Sequence, residues 1–272
     1  MNTTTNGTGT SGVWQLFKER AARDRLYGAA SYWDARAGAR HGMARSLWPS
    51  NAFNALWDER QQELIARALD PVLGRRIVDV GCGTGRIARW LAEDRRADEV
   101  VGVDFSSATV EAARFESSAL VSSGVVRYEQ GDIVAGLDAL ALGEFDDAIV
   151  LGCLSVACRD RPSLERAIGN VARLVRPKGR VLLLEPIHRS PLLRRVLDLG
   201  LEEWIACANE AGLALVSADR MGFVPARLIL SVRELPRSVV APLFHAGERL
   251  LDRAPWFAPL ADYKLLLFTR TH

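Results

Sequence analysis

The sequence predicts an α/β fold: a doubly wound, mostly parallel seven-stranded sheet with helices on both faces. Two observations indicate this fold. From residue 75 onward, short apolar runs alternate with segments of helical periodicity, which is the pattern of βαβ units. Residues 77–80, which are apolar except for Asp79, also lead directly into residues 81–85, in which every second residue is glycine. A buried strand that ends in such a turn and opens a helix lets a ligand approach the main chain closely.

Length, composition and charge restrict the class of protein. The 272 residues are 49% hydrophobic and 25% charged, which suits one globular domain with a sizeable core. The net charge of +2 favours neither a nucleic acid nor a membrane as partner, and no apolar run is long enough to cross a bilayer. The four cysteines form no CxxC pair, so we expect buried free thiols and no metal site in a cytoplasmic protein.

The chain before the sheet is predicted to be a tail followed by a helical lid. Residues 1–12 have neither the basic start nor the apolar core of a signal peptide and predict a flexible tail. Residues 13–71 show helical patterns, and a high density of aromatic residues over 30–54 predicts a lid or pocket wall; padding of the main core is the alternative. A helix over 56–69 is expected to stop at Asp70-Pro71.

Residues 72–272 are predicted to form the sheet and its covering helices. The expected strands of the first half are 76–80, 99–103, 125–129, 146–151 and 179–184. The expected helices between them are 86–93, 108–122, a short 134–141, and 161–175. Beyond the fifth strand the pattern predicts a helix over 201–211, a strand over 213–217, and a final strand over 263–269. Residues 223–260 are expected to form a helical insertion, although 226–232 also suit an added strand.

Two acidic residues at predicted strand ends narrow the choice of ligand. Asp79 stands two residues before Gly81, where a carboxylate would repel a pyrophosphate but suits a ligand that carries an ammonium group. Asp104 ends the second strand about 20 residues beyond the turn, where a carboxylate can accept hydrogen bonds from both ribose hydroxyls. Capping of the next helix is a compatible role for Asp104. S-adenosylmethionine has the ammonium group and the ribose, and it has no phosphate.

These residues resemble the S-adenosylmethionine site of the class I methyltransferases. The resemblance covers about residues 75–184, and its motifs follow in the family's order: 79–85, Asp104, 130–133, 145–150 and 176–180. It implies a Rossmann-like fold, S-adenosylmethionine as cofactor, and methyl transfer as activity.

The resemblance also implies a set of cofactor-binding residues. Around the methionine part of the cofactor it places Asp79, Gly81, Cys82, Gly83 and Gly85. Around the ribose and adenine it places Asp104, Phe105, Asp132 and Ile133. Near the sulfonium it places Leu151 and Gly152. The family often brings an N-terminal aromatic or basic residue to the cofactor carboxylate, and the candidates are Tyr32, Trp33 and Arg36.

A neutral hydroxyl acceptor needs a base, and histidine is the usual base near neutral pH. His188 follows the fifth strand, at the edge where open α/β sheets bind ligands, and is the predicted catalytic residue. The alternatives are His41, His245, Tyr27 and Tyr32.

The acceptor is expected to be a small organic molecule. The segment after the fourth strand lacks the Asn/Asp-Pro-Pro-Tyr/Phe run of nucleic-acid amino methyltransferases and the acidic metal ligands of the catechol enzymes. Cys153 in that segment is expected to pack rather than react. An aromatic lid from 30–54 and 223–260 suggests a tailoring step of secondary metabolism. The alternatives are a protein that binds the cofactor without methyl transfer, such as a cyclase or an assembly partner, and a nucleotide-dependent oxidoreductase. The methylated atom (O, N or C) and the oligomeric state stay open.

Overall fold

The computed structural model describes residues 22–39, 48–191 and 193–272. Within these ranges one sheet is formed by seven strands: β1 (Arg76–Val80), β2 (Glu99–Asp104), β3 (Val126–Gln130), β4 (Phe145–Leu151), β5 (Val175–Glu185), β6 (Leu213–Phe223) and β7 (Ala261–Arg270). Their order is β3-β2-β1-β4-β5-β7-β6, and β7 runs antiparallel to both of its neighbours. The prediction of an α/β sheet is confirmed, and the sheet is mixed because of β7.

Eleven α-helices accompany the sheet in the described ranges. They are α1 (Arg23–Leu26), α2 (Ala30–Ala39), α3 (Asn51–Leu69), α4 (Arg86–Glu93), α5 (Ser107–Glu116), α6 (Ser118–Ser122), α7 (Leu154–Ala157), α8 (Arg161–Leu174), α9 (Leu201–Glu210), α10 (Val224–Leu230) and α11 (Arg237–Arg253). Two 3₁₀ segments, Asp138–Leu140 and Pro255–Leu260, complete the regular structure of these ranges.

The core lies in two layers, one on each face of the sheet. Successive strand side chains point to opposite faces, so neighbouring residues of β1 join different clusters. Ile77 packs in the cluster that contains Trp57 of α3, whereas Val78 packs in the cluster that contains Ile168 of α8 and Trp204 of α9. The sheet is therefore covered by helices on both sides, as the apolar strands predict.

Several segments differ from the sequence-based expectation. The alternative that 226–232 form a strand is wrong, because Pro225 starts helix α10 there. The expected helix over 108–122 is interrupted at Ser117, whose hydroxyl lies 2.8 Å from the Tyr128 hydroxyl. Of the expected helix over 134–141, only the 3₁₀ turn Asp138–Leu140 is present. Strand β6 continues to Phe223 because it pairs with β7 along its length.

Helix α3 packs on one face of the sheet, whereas α2 lies at the carboxyl end of β2. Ser50 caps α3 by accepting a hydrogen bond from the Phe53 amide at 3.2 Å, and α3 ends before Asp70 as expected. Helix α2 is tied to the end of β2 by a 2.6 Å hydrogen bond from the Ser106 hydroxyl to Asp34. The predicted tail over 1–12 lies outside the described residues, and so do residues 13–21 and 40–47 of the predicted lid, including His41.

In the chain, helices α10 and α11 follow β6 and precede β7. Helix α11 packs on α3. The rings of Phe53 and Phe244 are 5.6 Å apart, and Arg60 of α3 pairs with Glu248 of α11 at 3.2 Å. None of the helices in the described ranges is long and apolar enough to cross a membrane.

Candidate cofactor and acceptor site

A pocket of about 570 Å³ opens at the carboxyl ends of β1, β2 and β4. The chain connections reverse direction across the sheet between β1 and β4, and open α/β sheets bind ligands at such a point. Eleven of the residues predicted to bind the cofactor line this pocket: Trp33, Asp79, Gly81, Cys82, Gly83, Asp104, Phe105, Asp132, Ile133, Leu151 and Gly152. Gly85 and Tyr32 are not among its lining residues.

The glycines after β1 have different surroundings. Gly81 has φ 73°, and a Cβ there would lie 2.6 Å from the Cys153 sulfur, so the residue must be glycine for the loop after β4 to close. Gly83 has φ 55° and no atom within 4 Å of its Cβ position, so its open side faces space that a ligand can fill. Gly85 caps α4, and a Cβ there would collide with Tyr128. Gly85 therefore serves packing, which the glycine pattern alone did not distinguish from ligand binding.

Asp79 is a buried carboxylate with an unsatisfied oxygen. Its Oδ2 has no hydrogen-bond partner among the described residues. Burial, together with the nearby Asp104 carboxylate, raises the pKa of Asp79 to about 7. An unpaired buried carboxylate is unfavourable unless a partner arrives with the ligand. The site therefore fits the ammonium group of S-adenosylmethionine.

Asp104 joins the second strand to the glycine turn. Its Oδ2 accepts a hydrogen bond from the Gly83 amide and its Oδ1 accepts one from the Ser106 amide, both at 3.0 Å. Burial raises its pKa. The hydroxyl of Ser106, rather than Asp104, caps α5 by accepting from the Thr109 amide at 3.1 Å. Each carboxylate oxygen of Asp104 has a further lone pair, and the two can accept from ribose hydroxyls.

The loop after β3 forms the far wall of the cofactor side. Asp132 Oδ1 accepts from the Val134 amide at 2.8 Å, which fixes this exposed carboxylate at the pocket rim. The carbonyl of Ile133 accepts from the Asn170 side chain at 2.5 Å. Together with Phe105, these residues bring one acidic and two apolar side chains to the pocket wall, which suits a flat base with an amino group.

The loop after β4 is held by Glu185, a residue that the sequence analysis did not select. Glu185 Oε1 accepts from the amides of Cys153 and Leu154 at 2.8 and 2.9 Å, and Oε2 accepts from the Ser155 amide at 3.2 Å. Burial raises the pKa of Glu185 to about 7. An acidic residue at the end of an otherwise aliphatic strand is the signal that could have identified it. Its role is to position Gly152 and Cys153 at the pocket.

Part of the pocket lining forms an aromatic wall. It consists of Tyr27, Trp33 and Tyr263. The Tyr263 hydroxyl lies 3.2 Å from the Cβ position of Gly152, and its ring packs 5.2 Å from Trp57. Sequence reasoning missed Tyr263 because β7 is remote in the chain. The signal was a tyrosine at the pocket end of an aliphatic strand.

Of the three N-terminal candidates for the cofactor carboxylate, Trp33 lines the pocket and Tyr32 does not. The ring of Tyr32 packs 5.2 Å from those of Tyr27 and Trp33, which both line the pocket. The indole of Trp33 donates to the Tyr27 carbonyl at 2.9 Å. Arg36 lies in α2, and its side chain is outside the described part of the structure.

His188, the predicted base, is not among the residues that line the pocket. Its Nε2 lies 2.8 Å from the Asp262 carbonyl oxygen and 3.3 Å from Asp262 Oδ1, and its side chain is 7% exposed. Asp262 also pairs with Arg227 at 2.9 Å. Although burial opposes it, the Arg227 charge holds the pKa of Asp262 at about 2. His188 thus belongs to a buried ionic cluster, and no histidine within the described ranges lines the pocket.

Two further expectations concern the pocket wall. Cys82 and Cys153 both line it, and burial raises the pKa of each thiol well above its ordinary value, which agrees with a packing role. The expectation that 223–260 cover the acceptor is wrong for the described side chains, since none of them lines the pocket. Helix α11 of this segment packs on α3 instead.

The fold and the pocket define an α/β protein with a ligand pocket at the carboxyl edge of its sheet, whose acidic residues suit an adenosyl group. Residues 77–179 match a family model described as a methyltransferase domain. An O-methyltransferase of Pyrenophora dematioidea is 32% identical over 167 residues, which are 60% of this chain and 57% of the relative. A ubiquinone biosynthesis O-methyltransferase of Alkalilimnicola ehrlichii is 33% identical over 168 residues, 60% of this chain and 64% of the relative. The chain thus spans less than two thirds of the length of these relatives.

Solved structures show the same fold over nearly the whole chain. A geranyl diphosphate C-methyltransferase of Streptomyces coelicolor has a TM-score of 0.62 at 12% identity, covering 92% of this chain and 98% of that chain. The [4+2]-cyclase SpnF has a TM-score of 0.58 at 19% identity, covering 99% and 98%. With the sequence matches, these findings show that residues 77–179 match a methyltransferase domain and that the chain has the fold of the class I S-adenosylmethionine-dependent methyltransferases. They support S-adenosylmethionine as the cofactor.

Proposed function

We propose that the protein methylates a small organic acceptor that enters between the loop after β4 and Tyr263. The observation that carries the proposal is the continuity of the pocket. One pocket is lined both by the acidic residues Asp79, Asp104 and Asp132, which suit the cofactor, and by the aromatic wall, which these acidic residues leave for a second molecule. A site that bound only the cofactor would not need this second half.

The cofactor half holds and orients the ligand through the chain's own polar groups. Asp79 takes the ammonium group, Asp104 the ribose hydroxyls, and Asp132 the adenine amino group, while Gly83 leaves room beside the main chain. When bound, S-adenosylmethionine supplies a methyl group on a positively charged sulfur. The protein's contribution to the reaction is alignment of the two reactants at about 3–3.5 Å and exclusion of water.

Tyr263 is the polar group best placed to orient the acceptor. Its hydroxyl lies at Gly152 and interacts with the Arg195 guanidinium. Burial raises the pKa of Tyr263, which keeps the phenol protonated and makes it a hydrogen-bond donor rather than a base. A donor at this point suits an acceptor oxygen, and the aromatic wall suits an aromatic ring. We therefore propose a hydroxylated aromatic acceptor.

The methylated atom, the metabolic role and the cellular compartment are also part of the proposal. Several relatives are named as O-methyltransferases, including one of Penicillium expansum, and others act in quinone biosynthesis by name. These names favour oxygen as the methylated atom, and a tailoring step of secondary metabolism fits the aromatic wall. The four free thiols suit the reducing cytoplasm.

The second candidate is a protein that binds the cofactor without transferring its methyl group. The observation that favours it is the lack of a histidine among the described residues of the pocket wall, and a cyclase shares the fold. An assay with S-adenosylmethionine and a panel of phenols, catechols and hydroxyquinones separates the two. Methylated product with equal amounts of S-adenosylhomocysteine supports transfer. Binding of S-adenosylhomocysteine by calorimetry without product from any acceptor of the panel would contradict it.

A further inference from the structure

Helix α11 has an apolar stripe that no described residue covers. Its inner side packs on α3 through Phe244, which is buried. On the outer side, Val239, Leu243 and Leu250 are 47%, 53% and 36% exposed, and Ala246 between them is also exposed. At 3.6 residues per turn these four side chains fall within an arc of about 60°. They form one continuous stripe along the helix.

Other exposed apolar side chains come from the same insertion. Leu228 and Ile229 of α10 are 53% and 67% exposed, and Trp256, directly after α11, is 77% exposed. Single exposed apolar residues are common on protein surfaces. A concentration of them on one short segment, including a full helical stripe, indicates a contact surface.

The charges around the stripe are positive and unpaired. The insertion, residues 224–260, has five arginines and three acidic residues. Arg233, Arg249 and Arg253 are exposed and form no ion pair with any residue that the structure describes. All three acids already have partners: Glu234 binds the first amide of α3 at 2.6 Å, and Glu248 and Asp252 pair with Arg60. The surface is therefore apolar with a cationic border.

The combination of an apolar stripe and unpaired arginines distinguishes between the possible binding partners of this surface. A second copy of the chain would bring two sets of unpaired arginines together without any free acid to meet them. A nucleic acid would satisfy the arginines but not the apolar stripe. An anionic bilayer satisfies both, because apolar side chains enter the acyl boundary, arginines meet the headgroups, and tryptophan favours the interface between them.

We propose that the stripe of α11 docks the protein on an anionic membrane surface, with Arg249 and Arg253 against the lipid headgroups. The docking is peripheral and needs no membrane-spanning helix. The net charge of +2 for the whole chain does not reveal this surface, because the unpaired cations are local. The inference is independent of the proposed methyl transfer.

Vesicle flotation of the full chain tests the proposal. We expect the protein to float with vesicles of phosphatidylcholine containing about 30% phosphatidylglycerol, and to remain behind with phosphatidylcholine alone or at high salt. Leu243→Glu should lower the partition coefficient about tenfold or more, and so should the double variant Arg249→Glu/Arg253→Glu. Binding of S-adenosylhomocysteine by each variant, measured in parallel, verifies that the fold is intact.

Matched controls test whether the location matters. Leu73 is 68% exposed outside the insertion, so Leu73→Glu makes the same change at another exposed leucine. Arg96→Glu/Arg166→Glu reverses two other exposed arginines. Both controls should float like the unaltered protein. Failure of the unaltered protein to float with anionic vesicles would overturn the proposal. An equal loss of vesicle binding in the controls and in the variants of the stripe would also overturn it. A dimer that Leu243→Glu dissociates, without vesicle binding, would assign the stripe to a second copy.

Discussion

A buried aspartate lies near each edge of the sheet, and the two differ in whether their carboxylate oxygens have partners. Asp147, near the amino edge on β4, is bound by Arg75 at 2.6 Å and by Arg180 at 2.7 Å. Asp79, at the carboxyl edge on the neighbouring strand β1, has an oxygen without any described partner. Both side chains are almost fully buried. The first carboxylate stabilises the fold, whereas the second is kept unsatisfied at the edge where a ligand binds. Unpaired buried charge is thus the mark of the site.

Substitution of each aspartate by asparagine should separate the two roles. Asp79→Asn should weaken S-adenosylhomocysteine binding about 100-fold, since a charged hydrogen bond contributes roughly 1.5–3 kcal/mol. It should also raise the melting temperature of the free protein near pH 8, because a buried unpaired charge is removed. Asp147→Asn should lower the free energy of unfolding by about 3 kcal/mol, because two arginines lose their partner. Calorimetry and thermal melts check both. Equal losses of affinity in the two variants would break the comparison.

The pH dependence of binding should follow Asp79. Because its pKa in the free protein is about 7 and the ammonium group requires the ionised form, affinity should fall as the pH falls through 7. Between about pH 7.5 and about pH 5.5 the dissociation constant should rise roughly 25-fold. The pH dependence of stability has the opposite sign. The free protein loses stability as the pH rises towards 7, because the pKa of Asp79 is higher in the folded than in the unfolded state. Asp79→Asn should remove most of the binding dependence, and a remainder would be due to Glu185.

A pair of glycines tests whether the open space at Gly83 belongs to the ligand. Gly74 and Gly83 have φ 72° and 55°, and neither has an atom within 4 Å of its Cβ position. Alanine at either position should therefore lower stability by about 1 kcal/mol through backbone strain. Only Gly83→Ala should also weaken S-adenosylhomocysteine binding, by roughly tenfold. Unchanged affinity in Gly83→Ala would mean that the ligand does not pass this residue.

The smallest expected effect concerns the acceptor wall. Tyr263→Phe should lower the methylation rate roughly tenfold, the scale of one neutral hydrogen bond, while S-adenosylhomocysteine affinity changes little. Tyr32→Phe is the control, because Tyr32 packs on Tyr27 and Trp33 and does not line the pocket. Initial rates with an acceptor identified in the panel measure both variants. A full rate in Tyr263→Phe would remove this residue from the acceptor site.

The same contrast explains what could be predicted from the sequence. Asp79, Gly83 and Asp104 are local to two strand ends, so spacing alone identified them. Tyr263 and Glu185 come from strands whose neighbours are set by tertiary pairing, including the antiparallel β7. His188 stands at a plausible chain position, but its side chain turns to Asp262, which is 74 residues away. Side-chain direction at a loop depends on such distant partners, and periodicity does not report it.

A crystal structure with S-adenosylhomocysteine bound tests the central claim most directly, namely that one pocket joins a cofactor half to an acceptor half. The account predicts the ligand ammonium at Asp79, the ribose at Asp104, and the sulfur directed at Gly152 and the Tyr263 hydroxyl. A sulfur that points away from Tyr263, or an ammonium group that leaves Asp79 Oδ2 unpaired, would contradict the account.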